Sequence, residues 1–187
     1  MGLLITGLVL WSLVHLYPSL ASQSRDGMVA RLGNNAYRGV FALLMLVALA
    51  MIIFGWKSAA PSGIYAPPLS GNLLVSVLML IAFILFVAAQ AKTNIKRLLR
   101  HPQLTGVIVW GVAHLLANGD SRSVALFGGL GVWAFVEIVL INRRDGAWQK
   151  PAAAPARTDV IVIIISAIAF AVILHFHQWL FGVSPIA

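Results

Sequence analysis

The chain has 187 residues, of which 60% are hydrophobic and 10% are charged, and it contains no cysteine. Soluble domains carry about a quarter charged residues, so this composition excludes an ordinary soluble domain and predicts an all-α integral membrane protein. The lack of cysteine excludes disulfides, thiolate metal sites and iron–sulfur ligation. The formal net charge of +8 comes from basic residues between apolar runs, which indicates a lipid bilayer as partner and no nucleic acid.

Six apolar segments are predicted to cross the bilayer, for which roughly 20 residues are needed. They cover residues 2–17, 39–56, 71–90, 103–117, 123–141 and 159–182. The fourth segment is the shortest, because about 15 residues extend only about 22 Å at 1.5 Å per residue. Pro102 suits the first turn of its helix, and Asn118 and Gly119 provide its stop. The sequence thus predicts a single domain over residues 1–187 with six transmembrane helices.

The basic residues alternate from loop to loop, which predicts the orientation. The first, third and fifth loops contain 11 of the 13 lysines and arginines, and the second and fourth contain only Lys57 and Arg122. Because basic loops remain in the cytoplasm, both termini are predicted to lie outside, on the periplasmic side of a bacterial inner membrane. The fifth loop includes a linker at residues 143–158 that is flexible by composition.

The first and fourth segments share the pattern G-x-x-x-W-x-x-x-H-L, at residues 7–16 and 106–115. Its Gly, Trp and His are four residues apart and therefore lie on one helix face. Helices separated by three spans run in opposite directions, so the pattern suggests a 3+3 inverted repeat with half-repeats 1–90 and 101–187. Convergence between apolar helices is the alternative, because the second and fifth segments show no convincing match.

The predicted topology sorts the histidines into two tiers. His15 and His101 fall near the cytoplasmic side, whereas His114 lies near the outer side together with His175 or His177. Two imidazoles on one iron face each other across roughly 4 Å, so only members of the same tier could share a metal. The first choice of ligands is His15 with His101, and the second is His114 with His175. His177 is better explained as part of an aromatic belt at the membrane interface.

Four further residues are candidates to support such a site: Glu137, Trp11, Trp110 and Arg100. Apart from Asp159 at the first position of the sixth segment, Glu137 is the only carboxylate within a predicted span, and it lies about one turn from the cytoplasmic end of the fifth helix. It could orient a histidine N–H, or it could pair with an arginine of the third or fifth loop. The structural pairing is the favoured interpretation.

Three stretches of the chain resemble the NnrU family of membrane proteins. They are "RHPQLTGVIVWGVAHLLANGD" (100–120), "WSLVH" (11–15) and "LGNNAYRG" (32–39), and the resemblance extends over essentially the whole chain. The family is associated with bacterial denitrification and nitric-oxide gene clusters. A plant and cyanobacterial relative, 15-cis-zeta-carotene isomerase, is a haem b enzyme whose iron is held by histidine and which moves a double bond from cis to trans.

The resemblance implies that haem b is the cofactor, with His15, His101 and His114 as candidate ligands. It leaves open whether the chain handles nitric oxide or isomerises a lipophilic polyene. The main alternative is a cofactor-free permease or accessory protein of denitrification, for which a homodimer would supply the missing volume. Arg-His-Pro before a helix also resembles membrane methyltransferases, but residues 142–158 lack the glutamate and tyrosine of that cofactor pocket.

Overall fold

The computed structural model describes residues 1–69 and 73–185, and its regular secondary structure within them is entirely helical. The helices are α1 (Gly2–Leu20), α2 (Ser22–Leu32), α3 (Asn34–Ser58), α4 (Leu73–Gln90), α5 (Ile95–Leu98), α6 (Pro102–Ala117), α7 (Ser121–Ser123), α8 (Gly129–Asp145) and α9 (Ala156–Phe181). A π-helical turn, Val124–Gly128, joins α7 to α8. Residues 121–145 therefore form one continuous helical segment.

Five helical segments among the described residues are long and apolar enough to cross a membrane. They are Gly2–Leu20, Asn34–Ser58, Leu73–Gln90, Ser121–Asp145 and Ala156–Phe181. These five match the first, second, third, fifth and sixth segments that hydropathy predicts. Their outward faces carry many exposed leucine, isoleucine, valine and phenylalanine side chains, as contact with lipid requires. The protein is therefore a helical membrane protein.

The fourth predicted segment forms α6, which has 16 residues and is shorter than the other apolar helices. As expected, Pro102 occupies its first turn and Asn118 caps its end. The end of α6 meets the loop after α3 through backbone hydrogen bonds. Ile64 and Tyr65 donate their N–H groups to the Gly119 carbonyl at 2.8 and 3.1 Å. The end of α6 therefore lies on the same side of the bundle as the end of α3.

The segment α8 lies between α1 and α6. It runs parallel to α1, because the Trp11 and Trp133 rings are 5.8 Å apart and the Arg144 Nη1 donates to the Ser19 hydroxyl at 3.1 Å.

Helices α6 and α8 run antiparallel to each other. His101 at the start of α6 contacts Asn142 near the end of α8, whereas Trp110, two and a half turns later, contacts Phe127 before α8 begins. Since α6 also ends beside the loop after α3, its two ends lie at opposite ends of the bundle.

Several boundaries differ from the predicted ones. The first loop, predicted at residues 18–38, contains α2, and α1 continues through Pro18 to Leu20. Helix α2 has no buried residue, so it lacks the apolar periodicity by which a helix is recognised in a sequence. Within the linker predicted at 143–158, only residues 146–155 are non-helical. Their end is held by Asn94, whose side chain bonds the Ala154 N–H and carbonyl at 3.0 and 2.8 Å.

Two glycines bring α1 and α3 into close contact. A Cβ on Gly7 would come within 2.8 Å of the Ile52 backbone nitrogen, and a Cβ on Gly55 within 2.6 Å of the Leu4 Cα. Helices in a bilayer gain association energy from such close approach, because lipid already solvates their apolar side chains. This contact fixes α3 against α1, whose Gly7 lies about two turns before His15 on the same helix face.

We expect Gly55→Ala to destabilise the protein by about 1–3 kcal/mol, because the added methyl group meets backbone that cannot move aside alone. Thermal unfolding of the purified protein in detergent measures the change. Gly39→Ala is the matched control in α3, since nothing lies within 4 Å of its added Cβ. It should be neutral, or stabilising by up to about 1 kcal/mol through helix propensity. Equal stability of the two variants would contradict the close contact.

Asp120 caps the helical segment that begins at Ser121. Its carboxylate accepts from the Arg122 N–H at 3.0 Å and from the Ser123 N–H and hydroxyl at 3.2 and 2.6 Å. Burial alone would raise the pKa of Asp120, but these bonds to Ser123 and Arg122, together with the Arg122 charge, lower it below its ordinary value. The charged form of Asp120 is therefore favoured by folding.

Replacing Asp120 with alanine should lower the free energy of unfolding by about 1 kcal/mol near neutral pH, as expected for a lost helix cap. The depressed pKa gives a contribution that is fully present above the unfolded-state pKa of about 3.9 and is lost as the pH falls through the folded-state pKa. The stability difference between wild type and Asp120→Ala should therefore shrink on acidification to about pH 3. A difference that does not change with pH would refute this role of the charge.

Candidate functional site

One cluster of side chains lies between α1, α3 and α8, and we call it the inner cluster: Trp11, His15, Phe41, Trp133 and Glu137. The His15 ring lies 4.5 Å from the Trp11 ring, 4.8 Å from the Trp133 ring and 5.7 Å from the Phe41 ring. Trp11 and His15 are one turn apart on α1, as are Trp133 and Glu137 on α8. Each pair thus shares a face, which turns toward the other helix.

The protonation of His15 follows from its hydrogen bond. Its Nδ1 lies 3.0 Å from the Trp11 carbonyl oxygen. A carbonyl only accepts, so the Nδ1–H donates, and the Nε2 of the neutral imidazole keeps its lone pair. Metal-binding histidines generally use this arrangement, because a bond from one ring nitrogen to a carbonyl orients the other.

Three buried polar atoms of the inner cluster have no hydrogen-bond partner within the described residues. They are the indole nitrogens of Trp11 and Trp133 and the Oε2 of Glu137. Trp133 and Glu137 are each only 8% exposed. An unsatisfied buried polar group costs about 1–3 kcal/mol, so two donors and one acceptor are available here to a ligand or to water.

The predicted structural pairing of Glu137 is partly realised. Arg144, which falls in the predicted fifth loop, attracts the carboxylate electrostatically, and Ser19 lies beside it. Arg144 also pairs with Asp145 at 2.7 Å and donates to Ser19. Because these contacts leave Oε2 without a partner, the arginine does not use up the hydrogen-bonding capacity of Glu137.

An open cavity of about 790 Å³ adjoins the inner cluster at the end of the bundle where α1 and α8 terminate. Its charged lining residues are Arg25, Asp26, Arg38, Arg144 and Asp145. Its other lining residues are Pro18, Ser22, Tyr37, Phe41 and Ala42. Phe41 belongs to both features, since its ring contacts His15 and also lines the cavity. A mixed lining of guanidinium groups and apolar side chains suits an anionic amphiphile.

A second cluster, the outer cluster of Trp110, His114 and Phe127, repeats the geometry at the other end of the bundle. The His114 ring is stacked on Phe127 at 4.2 Å, with Trp110 at 5.0 Å. Its Nδ1 lies 2.9 Å from the Trp110 carbonyl, as in the first copy of the repeated pattern. The glycines of the two copies differ in their contacts, since Gly7 packs on α3 and Gly106 on α4. Only the Trp–His faces of the two copies match.

The structure does not bring His15 and His101 together. The His15 ring contacts Trp133, whereas the His101 Nε2 lies 2.9 Å from the Asn142 Oδ1. Trp133 and Asn142 are nine residues apart in α8, which is about 13.5 Å along the helix axis. The two imidazoles therefore do not face each other across the roughly 4 Å that a shared iron requires. Arg100 is also remote from His15, because it donates to the Gly146 carbonyl at 2.7 Å.

The second pair of predicted ligands is not brought together either. His175 is exposed on α9, and its ring contacts Phe176 at 4.8 Å. His177, which the sequence assigned to an interface belt, is the residue that interacts electrostatically with His114. Its Nδ1 is bonded to the Val183 carbonyl at 2.7 Å. Within residues 1–69 and 73–185, no three His, Asp or Glu side chains are grouped as a metal site.

Sequence reasoning missed Trp133, Tyr37 and Phe41. Trp133 carries a usable signal, because it lies one turn before Glu137, the only carboxylate of the predicted segment 123–141. Tyr37 lies within the "LGNNAYRG" stretch. No local pattern identifies Phe41, because apolar residues surround it on α3 and its contact with His15 arises only from the packing of α1 on α3.

A family model described as NnrU protein matches residues 3–185, which is nearly the whole chain. Among curated proteins and among solved structures, none matches the chain significantly. The family-model match covers the helical bundle and both Trp–His pairs. The chain therefore belongs to the NnrU family.

Proposed function

We propose that this NnrU-family protein binds haem b in the membrane, that His15 would hold its iron, and that the protein acts on nitric oxide or on a lipophilic polyene. The observation that carries the proposal is the state of His15. Its Nδ1–H donates to the Trp11 carbonyl, so its Nε2 is free to bind a metal. The family that the chain resembles has a haem b enzyme as a relative, which supports haem b as the cofactor.

The inner cluster fits haem b by its donor chemistry. A neutral imidazole with a free Nε2 is the usual protein ligand of haem iron. The surrounding rings of Trp11, Phe41 and Trp133 are apolar neighbours of the kind that a porphyrin prefers. His15 alone replaces the pair of ligands first expected, because His101 lies too far along α8. Bound haem b would supply iron chemistry that binds nitric oxide or polarises a double bond.

The other residues of the inner cluster have separate roles in this proposal. The Trp11 carbonyl fixes the imidazole orientation through its hydrogen bond to Nδ1. The Trp133 indole N–H and the Glu137 Oε2 are the free donor and acceptor that meet polar groups of a bound molecule. Arg144, which lies beside the inner cluster, attracts the Glu137 side chain electrostatically. These four residues therefore orient and hold what the iron binds.

We expect protein purified in detergent from haem-replete cells to show a Soret band. His15→Ala should lower the haem content on the order of tenfold or more, as loss of a ligand exceeds the effect of losing its supporting hydrogen bond. Added imidazole should restore the band in this variant, which a merely misfolded protein would not allow. Absorption spectroscopy against protein concentration measures both results.

The matched controls for this experiment are the other histidines. His101→Ala and the exposed His175→Ala should keep their haem, because neither contacts the inner cluster. Loss of haem in His114→Ala alone would transfer the site to the outer cluster and contradict the choice of His15. A colourless wild-type protein would remove the haem proposal and favour the cofactor-free permease.

We also propose that the chain crosses a bacterial inner membrane six times, with both termini outside. The placement of α6 supports this topology, since its ends lie at opposite ends of the bundle. The opposite directions of α1 and α6 and their matching Trp–His geometry further support a 3+3 inverted repeat.

The natural lack of cysteine makes this topology directly testable. Single cysteines at Ser62, Gln23 and Ala152 can be labelled in intact spheroplasts with a membrane-impermeant maleimide. Ser62→Cys should react from outside, whereas Gln23→Cys and Ala152→Cys should react only after permeabilisation. If α6 turned back without crossing, Ala152 would lie outside while Gln23 stayed inside. External labelling of Ala152→Cys would thus show that α6 does not cross and would reject the six-span topology.

A further inference from the structure

We propose that the cavity between α1, α2, α3 and α8 is a binding site for the headgroup of one anionic phospholipid of the cytoplasmic leaflet. The site is distinct from the inner cluster, whose free atoms are the His15 Nε2, two indole nitrogens and a carboxylate oxygen. The volume of about 790 Å³ admits a phospholipid headgroup with the first part of its chains. The proposal requires neither haem nor any activity.

Charge identifies the class of ligand. Arg25, Arg38 and Arg144 come from three different elements, α2, α3 and α8, and all line the cavity. The two aspartates of the lining each pair with the arginine that precedes them in the chain. Such exposed pairs contribute little, so the guanidinium groups remain available to a stronger partner. Phosphate is that partner, because guanidinium groups bind it through two parallel hydrogen bonds.

Tyr37 provides a second, independent indication of an acceptor ligand. Its hydroxyl is buried and has no hydrogen-bond partner within the described residues, although its ring lies under Arg25 at 5.8 Å. A phosphate oxygen held by the arginines would accept from this hydroxyl. The cavity thus offers one neutral donor and three cationic ones to the same anion.

The apolar part of the lining indicates that the anion carries a hydrocarbon chain. Ala42 lines the cavity on α3, and an exposed apolar stripe continues from it along the same helix face at Leu46, Leu49 and Ile53. This stripe leads away from the arginines toward the opposite end of α3. A headgroup in the cavity can therefore extend its acyl chain along the stripe, which a free phosphate ion would not use.

The position of the cavity suits the cytoplasmic leaflet. It lies at the end of the bundle where basic loops are concentrated, and the predicted orientation places that end inside. Basic pockets between transmembrane helices on this side are known to hold anionic headgroups. The acidic lipids of a bacterial membrane, with a phosphate diester and no compensating cation, match the excess of arginine over aspartate.

Native mass spectrometry of the purified protein tests the site. The protein is incubated with phosphatidylglycerol and phosphatidylcholine that carry identical acyl chains, and bound lipids are counted. Wild type should retain one phosphatidylglycerol with about a tenfold preference, the usual scale for a few charge-assisted hydrogen bonds. Arg38→Ala and the conservative Tyr37→Phe should each reduce this preference severalfold. Arg31→Ala, an exposed α2 residue outside the cavity with the same charge change, should not.

Each alternative occupant has its own readout. If inorganic phosphate displaces the phosphatidylglycerol, the cavity binds a free anion and the lipid proposal fails. If Arg38→Ala keeps the lipid preference but loses the Soret band, the cavity holds carboxylates of haem, and the proposal fails likewise. Equal reduction in Arg31→Ala would show non-specific attraction. Because lipid is read by mass and haem by absorbance, a haem-free protein with a specific lipid leaves this proposal standing.

Discussion

The packing of α8 between α1 and α6 is the constraint on which both candidate sites depend. Each site consists of a tryptophan and a histidine one turn apart. Both contact an aromatic side chain of the continuous helical segment 121–145, which contains α8. Trp133 supplies that side chain for the inner cluster and Phe127 for the outer one. Because α8 runs parallel to α1 and antiparallel to α6, the same local pattern is presented at two depths. A change in the position of α8 would therefore disturb both clusters.

The inner cluster differs from the outer one in what it leaves unsatisfied. Around His114, the described contacts are aromatic stacking, the bond to Trp110 and the electrostatic interaction with His177. Around His15, two indole nitrogens and a carboxylate oxygen are buried without partners. Ionisable groups inside a bilayer are costly and usually functional, and Glu137 is the only ionisable residue between Val124 and Asn142. The imbalance makes the inner cluster the better candidate for ligand binding, even though both histidines have the same hydrogen-bonded state.

Hydropathy predicted five of the membrane helices and also α6, whose ends are marked by Pro102 and Asn118. It could not predict the depth of each histidine. Helix α1 continues through Pro18 to Leu20, so His15 lies farther from the helix end than the apolar run suggests. His101, in contrast, precedes the first residue of α6 and lies level with Asn142. The two histidines that were predicted to share one tier therefore lie about two and a half turns of α8 apart.

The π-helical turn at Val124–Gly128 contains one residue more than an α-helical turn would need. If that residue were absent, everything before it would rotate by about 100° around the axis. Asp120 and Arg122 would then leave the loop after α3, whereas Trp133 and Glu137, which follow the turn, would keep their places. Chain length at this point therefore separates two effects: a homologue with a single-residue gap here would retain the His15 environment and lose the hydrogen bonds of Ser121 and Arg122 to the loop after α3.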